Sequence, residues 1–467
     1  MTFKFPASLA VATGTHADAA GRAATRLAAR VADDFSRLRG ALRRAGWALA
    51  DQCMVSAANF LTIFLFARHL EAATFGAFML AYTGLLLLTN LQNALIVQPH
   101  NVLAAGMAPP EYRRFTGALL VLQVLYGLAV CAGFFLVGWL IATAYSPATG
   151  DVLIALALTA VPWMAQDFAR RVLYTRGESR AAAANDGVTN GLQLFGALML
   201  IQLPAAWAAP ASALSVLGLS AAAGALFGAW QLRNHVGFLG AGFGPYRHAW
   251  FEAWHFGKWL TAQNGLAWFG AQGHSWVVGL MLGVEQVGIY RAATHLVNLM
   301  NPLLQACLTY LPSRGSLAYH AGGAAGLSRW VGRTQRMLLL ALAPFCVLLV
   351  VFPGQVLDLA YGGRFAGTTL ALILALAAVA QCIGFSKYPF DIGLLALRSP
   401  KSIFYAYLIP VILLLTVGAS LIWYLGILGV PLSGIVINSA LLIATRRAYR
   451  ARMRQEQERP AVAKETL

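Results

Sequence analysis

The sequence predicts an all-α integral membrane protein of about twelve transmembrane helices, arranged as two pseudo-symmetric six-helix bundles. Three observations predict it. First, 59% of the 467 residues are hydrophobic and only 11% are charged. A soluble domain carries about 25% charged residues, so water cannot be the solvent for most of this surface. Second, the apolar runs are long. "TGALLVLQVLYGLAVCAGFFLVGWLIA", from Thr116, exceeds the roughly 20 residues that cross a bilayer as a helix. Lipid offers no partner to unpaired backbone groups, so such spans are helices. Third, one turn is written twice. "HLEAATFGAF" (His69 to Phe78) and "MLGVEQVGIY" (Met281 to Tyr290) each open on Leu, hold an acid, and close on an apolar residue, Gly, any residue and an aromatic. Gly76 and Gly288 stand 212 residues apart.

Taken in order, residues 1–45 have no apolar core that would serve as a signal peptide. "RLAARVADDFSRLRGALRR" places Leu27, Val31, Phe35, Leu38 and Leu42 on one helical face, which suits a helix lying on the membrane surface. A disordered basic tail fits the same Ala- and Arg-rich composition. Twelve spans follow, starting near Trp47, Gly76, Thr116, Asp151, Asp186, Ser212, Lys258, Val287, Arg336, Gly367, Ser402 and Ile427. They divide into an N-terminal six-helix bundle (46–235), a cytoplasmic linker (236–256), a C-terminal six-helix bundle (257–447) and a cytoplasmic tail (448–467). The loops are short, so no soluble catalytic domain is inserted.

Charge orients the chain. Of the 34 Lys and Arg residues, only Arg68, Arg291 and Arg364 fall on one side; the tails and the remaining loops put the others on the opposite side. Basic loops are cytoplasmic, so both termini are expected there, in agreement with an even number of spans. The formal net charge of +17 then reflects topology and the anionic inner leaflet. Membrane lipid is the expected contact and nucleic acid is not, because the cations are scattered over seven short segments. The five cysteines, Cys53, Cys131, Cys307, Cys346 and Cys382, each lie in an apolar run without paired spacing. They read as small core residues rather than disulfides or metal ligands.

The 212-residue register extends beyond the turn. Trp47 meets Trp259, Ala50 meets Ala262, Gln52 meets Asn264, Thr89 meets Asn301 and Asn93 meets Gln305. Spans 1 and 2 thus correspond to spans 7 and 8. Six is even, so the halves insert in the same sense, related by an axis along the membrane normal. The same four spans carry polar residues. Arg291, Thr294, Asn298, Asn301 and Gln305 lie at spacings of 3 and 4, one face of span 8. Span 2 has Tyr82, Thr89 and Asn93; span 1 has Gln52, Ser56 and Asn59; span 7 has Thr261, Asn264, Gln272 and Ser275. Lipid cannot satisfy such groups. They act either as helix–helix glue or as the lining of a polar passage between the halves.

"NFLTIFLFARHLEAATFGAF", "GKWLTAQNGLAWFGAQGHSWVVGLMLGVEQVGIYRAATHL" and "LAYGGRFAGTTL" resemble the polysaccharide-transporter (Wzx-type flippase) branch of the multidrug/oligosaccharidyl-lipid/polysaccharide (MOP) exporter superfamily, over about residues 40 to 450. The resemblance implies two bundles around a V-shaped cavity that opens to either side in turn. It implies a polyprenyl-diphosphate-linked oligosaccharide as cargo, carried from the inner to the outer leaflet of the bacterial cytoplasmic membrane. Its implied partners extend to polysaccharide polymerase and chain-length proteins. Relatives often have an Asp where this chain has His274, followed by a basic residue where it has Ser275. This chain therefore lacks that acid and the basic residue that follows it.

The stripes suit such a cargo. Its sugars need hydroxyl, amide and aromatic partners, and its diphosphate needs cations or N–H donors. The expected substrate-binding residues are Arg291, Thr294, Asn298, Asn301, Gln305, Lys258, Asn264, Gln272, Asn59 and Asn93. Arg291 has two readings, a diphosphate contact through its planar donors or an anchor to lipid phosphates; Lys258 divides the same way. Asp51 and His274 are the candidates for ion coupling. Their plainer readings are an acid paired with Arg43 or Arg44, and a hydrogen-bonded packing residue. Asp167, Asp186 and Asp391 fit as partners of Arg170, Arg171, Lys387 or Arg398. No cofactor, metal or catalytic residue is expected. A membrane polymerase or ligase would gather acids, bases or cations at the outer face, where this chain has short, nearly uncharged loops. A drug exporter would bind hydrophobic cations, and intramembrane acids are scarce.

Overall fold

The computed structural model describes residues 46–47, 50–104, 107–237, 243–362, 368–397 and 399–458. The basic segment before residue 46, with its expected surface helix, lies outside them, as do Arg43 and Arg44. All twelve expected passes are helical. In the first half they are α1 (Ala50–His69), α2 (Ala72–Leu103), α3 (Pro109–Ala144), α4 (Pro147–Thr175), α5 (Ser179–Leu200) and α6 (Pro210–Leu232). In the second half, α7 (Phe243–Leu282) is followed by α8 (Val284–Val297), which leads into α9 (Asn301–Val351), two helical stretches separated by a non-helical break at Gly322 and Gly323; then come the short α10 (Pro353–Tyr361), α11 (Thr368–Phe385), α12 (Tyr388–Ala396), α13 (Pro400–Leu413), α14 (Ala419–Leu425) and α15 (Gly429–Glu458). Helix starts follow local chemistry. Proline opens α3, α4, α6 and α10, where its missing N–H costs nothing, and Ser146 caps α4 by accepting the Thr149 N–H.

Eight stretches among the described residues are apolar and long enough to cross a membrane, one of them (Ser402–Glu458) holding two passes. The expected passes that fall short of that mark are α5, α7 and the α8–α9 junction. Each carries amides and hydroxyls, such as Asn185, Asn264 and Asn298, that must be answered inside the protein. The expected linker 236–256 is partly helical, because α7 begins at Phe243, and α15 continues through the first part of the expected tail.

The two glycine turns meet. A Cβ on Gly76 would stand 1.8 Å from the Val284 carbonyl oxygen, and one on Gly288 would stand 2.0 Å from that of Ala72. Helices α2 and α8 therefore cross in backbone contact at the end remote from the arginine-rich side, and no side chain fits between them. Around the crossing the halves share one apolar core, with Phe66, Phe75 and Phe78 from the first half and Ala292, Leu296 and Tyr361 from the second. Toward the arginine-rich side there are two cores. One gathers Phe115, Phe168 and Leu232 of the first half with Ala249 and Ala253 from the start of α7; another gathers Leu327, Phe390 and Tyr449 of the second half. One core common to both halves at one end, and two at the other, give the two-lobed, V-shaped arrangement.

A second register links the halves. Thr175 and Ala396, the last residues of α4 and α12, are 221 apart, and so are Ser179 and Pro400, the first residues of α5 and α13. Spans 4 and 5 thus match spans 10 and 11, with nine residues more between the two registers in the second half. Cys346 of α9 and Cys382 of α11 lie side by side with their Cα atoms 7.2 Å apart, wider than a disulfide spans without backbone movement, and the Cys346 thiol is directed at the Ala378 carbonyl. Cys53 and Cys131 are free.

Candidate functional site

Polar side chains collect at two places. In the first half, Asp51 of α1, Asp167 and Arg170 of α4, and Asp186 of α5 are all buried except for part of the arginine. Arg170 Nε lies 3.0 Å from Asp186 Oδ2, and its terminal nitrogens lie 3.9 Å from Asp167 and 3.8 Å from Asp51. Gln166 Nε2 donates to Asp186 Oδ1 at 2.8 Å and to Asn185 Oδ1 at 3.0 Å, and the Tyr174 hydroxyl donates to Asp51. Arg171 pairs with Asp167 at 3.3 Å. Three carboxylates and two guanidiniums leave the node formally one negative charge in surplus. Asp167 and Asp186 have the partners the sequence led us to expect. Asp51 of α1 finds its own on Arg170 of α4.

The second place is a cavity of about 380 Å³ inside the second half. Gln272 and His274 of α7, Arg291 and Thr294 of α8, Asn298, and Asn301 of α9 line one wall. Their spacing on span 8 aligns them on one face. The helical geometry changes at Asn298–Met300, a 3₁₀ turn, and the face carries through it. The opposite wall comes from α11, α12, α13 and α15, with Gln381, Lys387, Tyr388, Tyr407 and Asn438. Arg291 donates through Nη2 to Gln272. Its Nε is buried without a hydrogen-bond partner, and no carboxylate pairs with it among the described residues. His274 Nε2 lies 2.9 Å from Ser433 Oγ, and Asn438 donates to the Ala380 carbonyl at 2.8 Å.

Other expected residues lie elsewhere. Asn59 accepts from Gln193 Nε2 at 3.1 Å inside the first half. Asn93 opens a π-helical stretch of α2, with its side-chain oxygen buried and unpartnered. Asn264 donates across the lobes to the Asn90 carbonyl at 3.3 Å. Lys258 is not among the residues lining the cavity. Gln305 lies on α9, but its side chain falls outside the described ones. The polar residues of spans 1, 2 and 7 thus answer neighbours more often than they line this cavity.

Lys387 was the residue sequence reasoning passed over as a site. It sits in the turn between α11 and α12, 5% exposed, donating to Asp391 Oδ2 at 2.7 Å and to the Tyr407 hydroxyl. The Asp391 partner was expected; the cavity position was not. The signal was "FSKYPF", a polar break followed by proline in an apolar span, which marks a discontinuous membrane helix of the kind transporters place at binding sites.

The comparisons agree with this architecture. Residues 115–369 match the family described as "Polysaccharide biosynthesis protein". The chain superposes on an inward-facing multidrug resistance MATE family transporter of the MOP superfamily with a TM-score of 0.71 at 13% identity, covering 87% of this chain and 96% of that one. The outward-facing form of a MATE family transporter gives 0.60 at 14%, covering 89% and 96%. A MOP superfamily transporter from Pyrococcus furiosus, described as having a binding pocket of reverse polarity, gives 0.59 at 14%, covering 90% and 96%. No curated protein sequence matches the chain. With more than half its length matched by one family model, the chain belongs to the polysaccharide biosynthesis protein family, and it shares the fold of these transporters.

Proposed function

We propose that this transporter is a flippase, moving a polyprenyl-diphosphate-linked oligosaccharide from the inner to the outer leaflet of the bacterial cytoplasmic membrane by alternating access, for exopolysaccharide or O-antigen synthesis. Both termini and the arginine-rich side face the cytoplasm in this reading. The observation that carries it is the cavity around Arg291: a guanidinium without a carboxylate partner among the described residues, beside Gln272, Thr294, Asn298 and Asn301. A cation held away from water needs an anion to offset its desolvation, and a bound diphosphate supplies one. Amides and hydroxyls suit sugars, and the lipid tail stays in the bilayer if the cavity opens sideways. The family's polysaccharide assignment supports the cargo class. Export of cationic drugs fits less well, since Arg291 and Lys387 line the cavity and, among the described residues, no Asp or Glu does.

In this scheme the six-helix halves are the moving units. Asp51, in the buried acidic node, is the first candidate for ion coupling, and His274 the second. Lys258, Asn264, Asn59, Asn93 and Gln305 are contacts the cargo would meet outside the present cavity. Polysaccharide polymerase and chain-length proteins are the proposed neighbours. Deletion of the gene tests the function. The expected result is loss of a surface or secreted polysaccharide, with lipid-linked oligosaccharide retained in the inner leaflet. Normal polysaccharide in a deletion strain that has no redundant exporter would overturn the flippase reading.

A further inference from the structure

The 221-residue register places three polar residues of the first half over three of the second: Gln166 over Lys387, Arg170 over Asp391, and Asp186 over Tyr407. In both triangles two residues of one span meet the third on the next. In the first half, Gln166 of α4 donates to Asp186 of α5 and Arg170 of α4 forms an ion pair with it. In the second, Lys387 and Asp391 both bond to Tyr407 of α13. The geometry is retained while the chemistry is exchanged. The first triangle is closed off by Asp51 and Tyr174 and carries surplus negative charge. The second opens into the cavity through Lys387 and Tyr407, with its acid, Asp391, behind them.

We propose that Lys387 is a second oxyanion contact in the cavity of the second half, acting with Arg291 on a cargo that bears two anionic oxygens or one charged group spanning both cations. An ammonium has three N–H donors. Lys387 directs two at Asp391 and Tyr407, which leaves one for the cavity. Tyr388 and Tyr407 present ring faces to the ammonium at 4.2 and 4.4 Å and hold it in place. The turn at Ser386–Lys387 interrupts span 10, so the cation projects from backbone that a continuous helix would have buried. Arg291 adds a buried Nε without a partner. Asp391 is the internal anion that keeps Lys387 from being bare when no cargo is bound, and its Oδ1 has no partner. The oxyanion is either the diphosphate or the carboxylate of an acidic sugar. The inference rests on the flippase reading for that choice of cargo.

The test uses purified full-length protein in lipid nanodiscs, with affinity read from protection against thermal unfolding. One arm titrates inorganic pyrophosphate and the other glucuronate. Wild type is expected to bind at least one of them. Lys387→Gln is expected to weaken that binding at least about tenfold, the loss of a charge-assisted bond, and Lys387→Arg to preserve most of it. Response to pyrophosphate alone assigns the diphosphate, and response to glucuronate alone assigns an acidic sugar. Because Lys387→Gln strands Asp391, the double variant Lys387→Gln/Asp391→Asn is measured beside it and is expected to regain the wild-type unfolding temperature while still failing to bind. If the double variant regains binding, Lys387 only neutralised Asp391 and the proposal is wrong. It is equally wrong if wild type binds neither probe or if Lys387→Gln binds as wild type does. None of these readings involves transport, so normal polysaccharide in a deletion strain would remove the flippase function and leave this result standing.

Discussion

Arg291 shows how one side chain joins sequence, burial and function. It is half-buried, bonded once to Gln272, and has no acidic partner among the described residues. An unpaired charge in a membrane interior is destabilising, so the arginine does not serve folding. Arg291→Gln should therefore insert normally and unfold at a temperature no lower than wild type. Export should nevertheless be lost, because a charge-assisted contact of about 1.5–3 kcal/mol goes with it. Arg291→Lys keeps the charge but not the planar donors and should export weakly. Full export by Arg291→Gln at matched protein level, measured as surface polysaccharide, would end the diphosphate role. The span 8 stripe was legible because residues three and four apart share a helix face. Lys387 was not, because its role depends on Tyr407 and on a cavity wall contributed by four distant helices. Asn59 and Asn264 looked identical to cavity residues in sequence, and only packing shows that Gln193 and the Asn90 carbonyl occupy them.

At the scale of the element, the repeated turn explains itself as a crossing. Gly76 and Gly288 are required because backbone lies where their side chains would be, and a carbonyl cannot swing aside as a flexible side chain can. Gly76→Leu or Gly288→Leu should hold α2 and α8 apart and prevent that end from closing. Such overpacking costs about 1–3 kcal/mol or more. The expected result is normal insertion without export, with a cysteine at Thr294 becoming reactive to an impermeant thiol reagent added from outside. Gly84→Ala is the control: a Cβ there meets nothing nearer than 3.8 Å, so export should be unchanged. If Gly76→Leu exports normally, the crossing has no part in closure. The register over spans 1 and 2 was visible because Trp and Gly recur in it. The one over spans 4 and 5 was hidden, since its equivalent residues share position and bonding but not chemical type, Arg170 facing Asp391 across the repeat.

For the whole molecule, the proposed alternating access requires that the lobes be held together weakly enough to part. Among the described residues, four hydrogen bonds run from donors or ring nitrogens of the second half to acceptors on α1 or α2 of the first, and a fifth runs from Trp250 Nε1 of α7 to the Ala118 carbonyl of α3. Trp268 Nε1 donates to the Thr83 carbonyl and Trp276 Nε1 to the Thr83 hydroxyl, both at 3.1 Å. Asn264 reaches the Asn90 carbonyl, and His295 Nε2 lies 3.0 Å from that of Phe60. Each is worth about 1 kcal/mol net, so no single one locks the molecule. Removing two should shift the balance between the conformer seen here and its alternative by about 2 kcal/mol, on the order of thirtyfold. Trp268→Phe/Trp276→Phe does this while leaving a ring in each place. Spin labels on α3 and α15, read as a distance distribution in nanodiscs, should show the present separation losing population to a second one. The single Trp268→Phe variant should fall between wild type and the double. If the double variant gives the wild-type distribution, these two bonds do not set the conformational balance, and the backbone contacts between the lobes, Gly76 against Val284 and Gly257 against Ala94, are the next candidates to substitute.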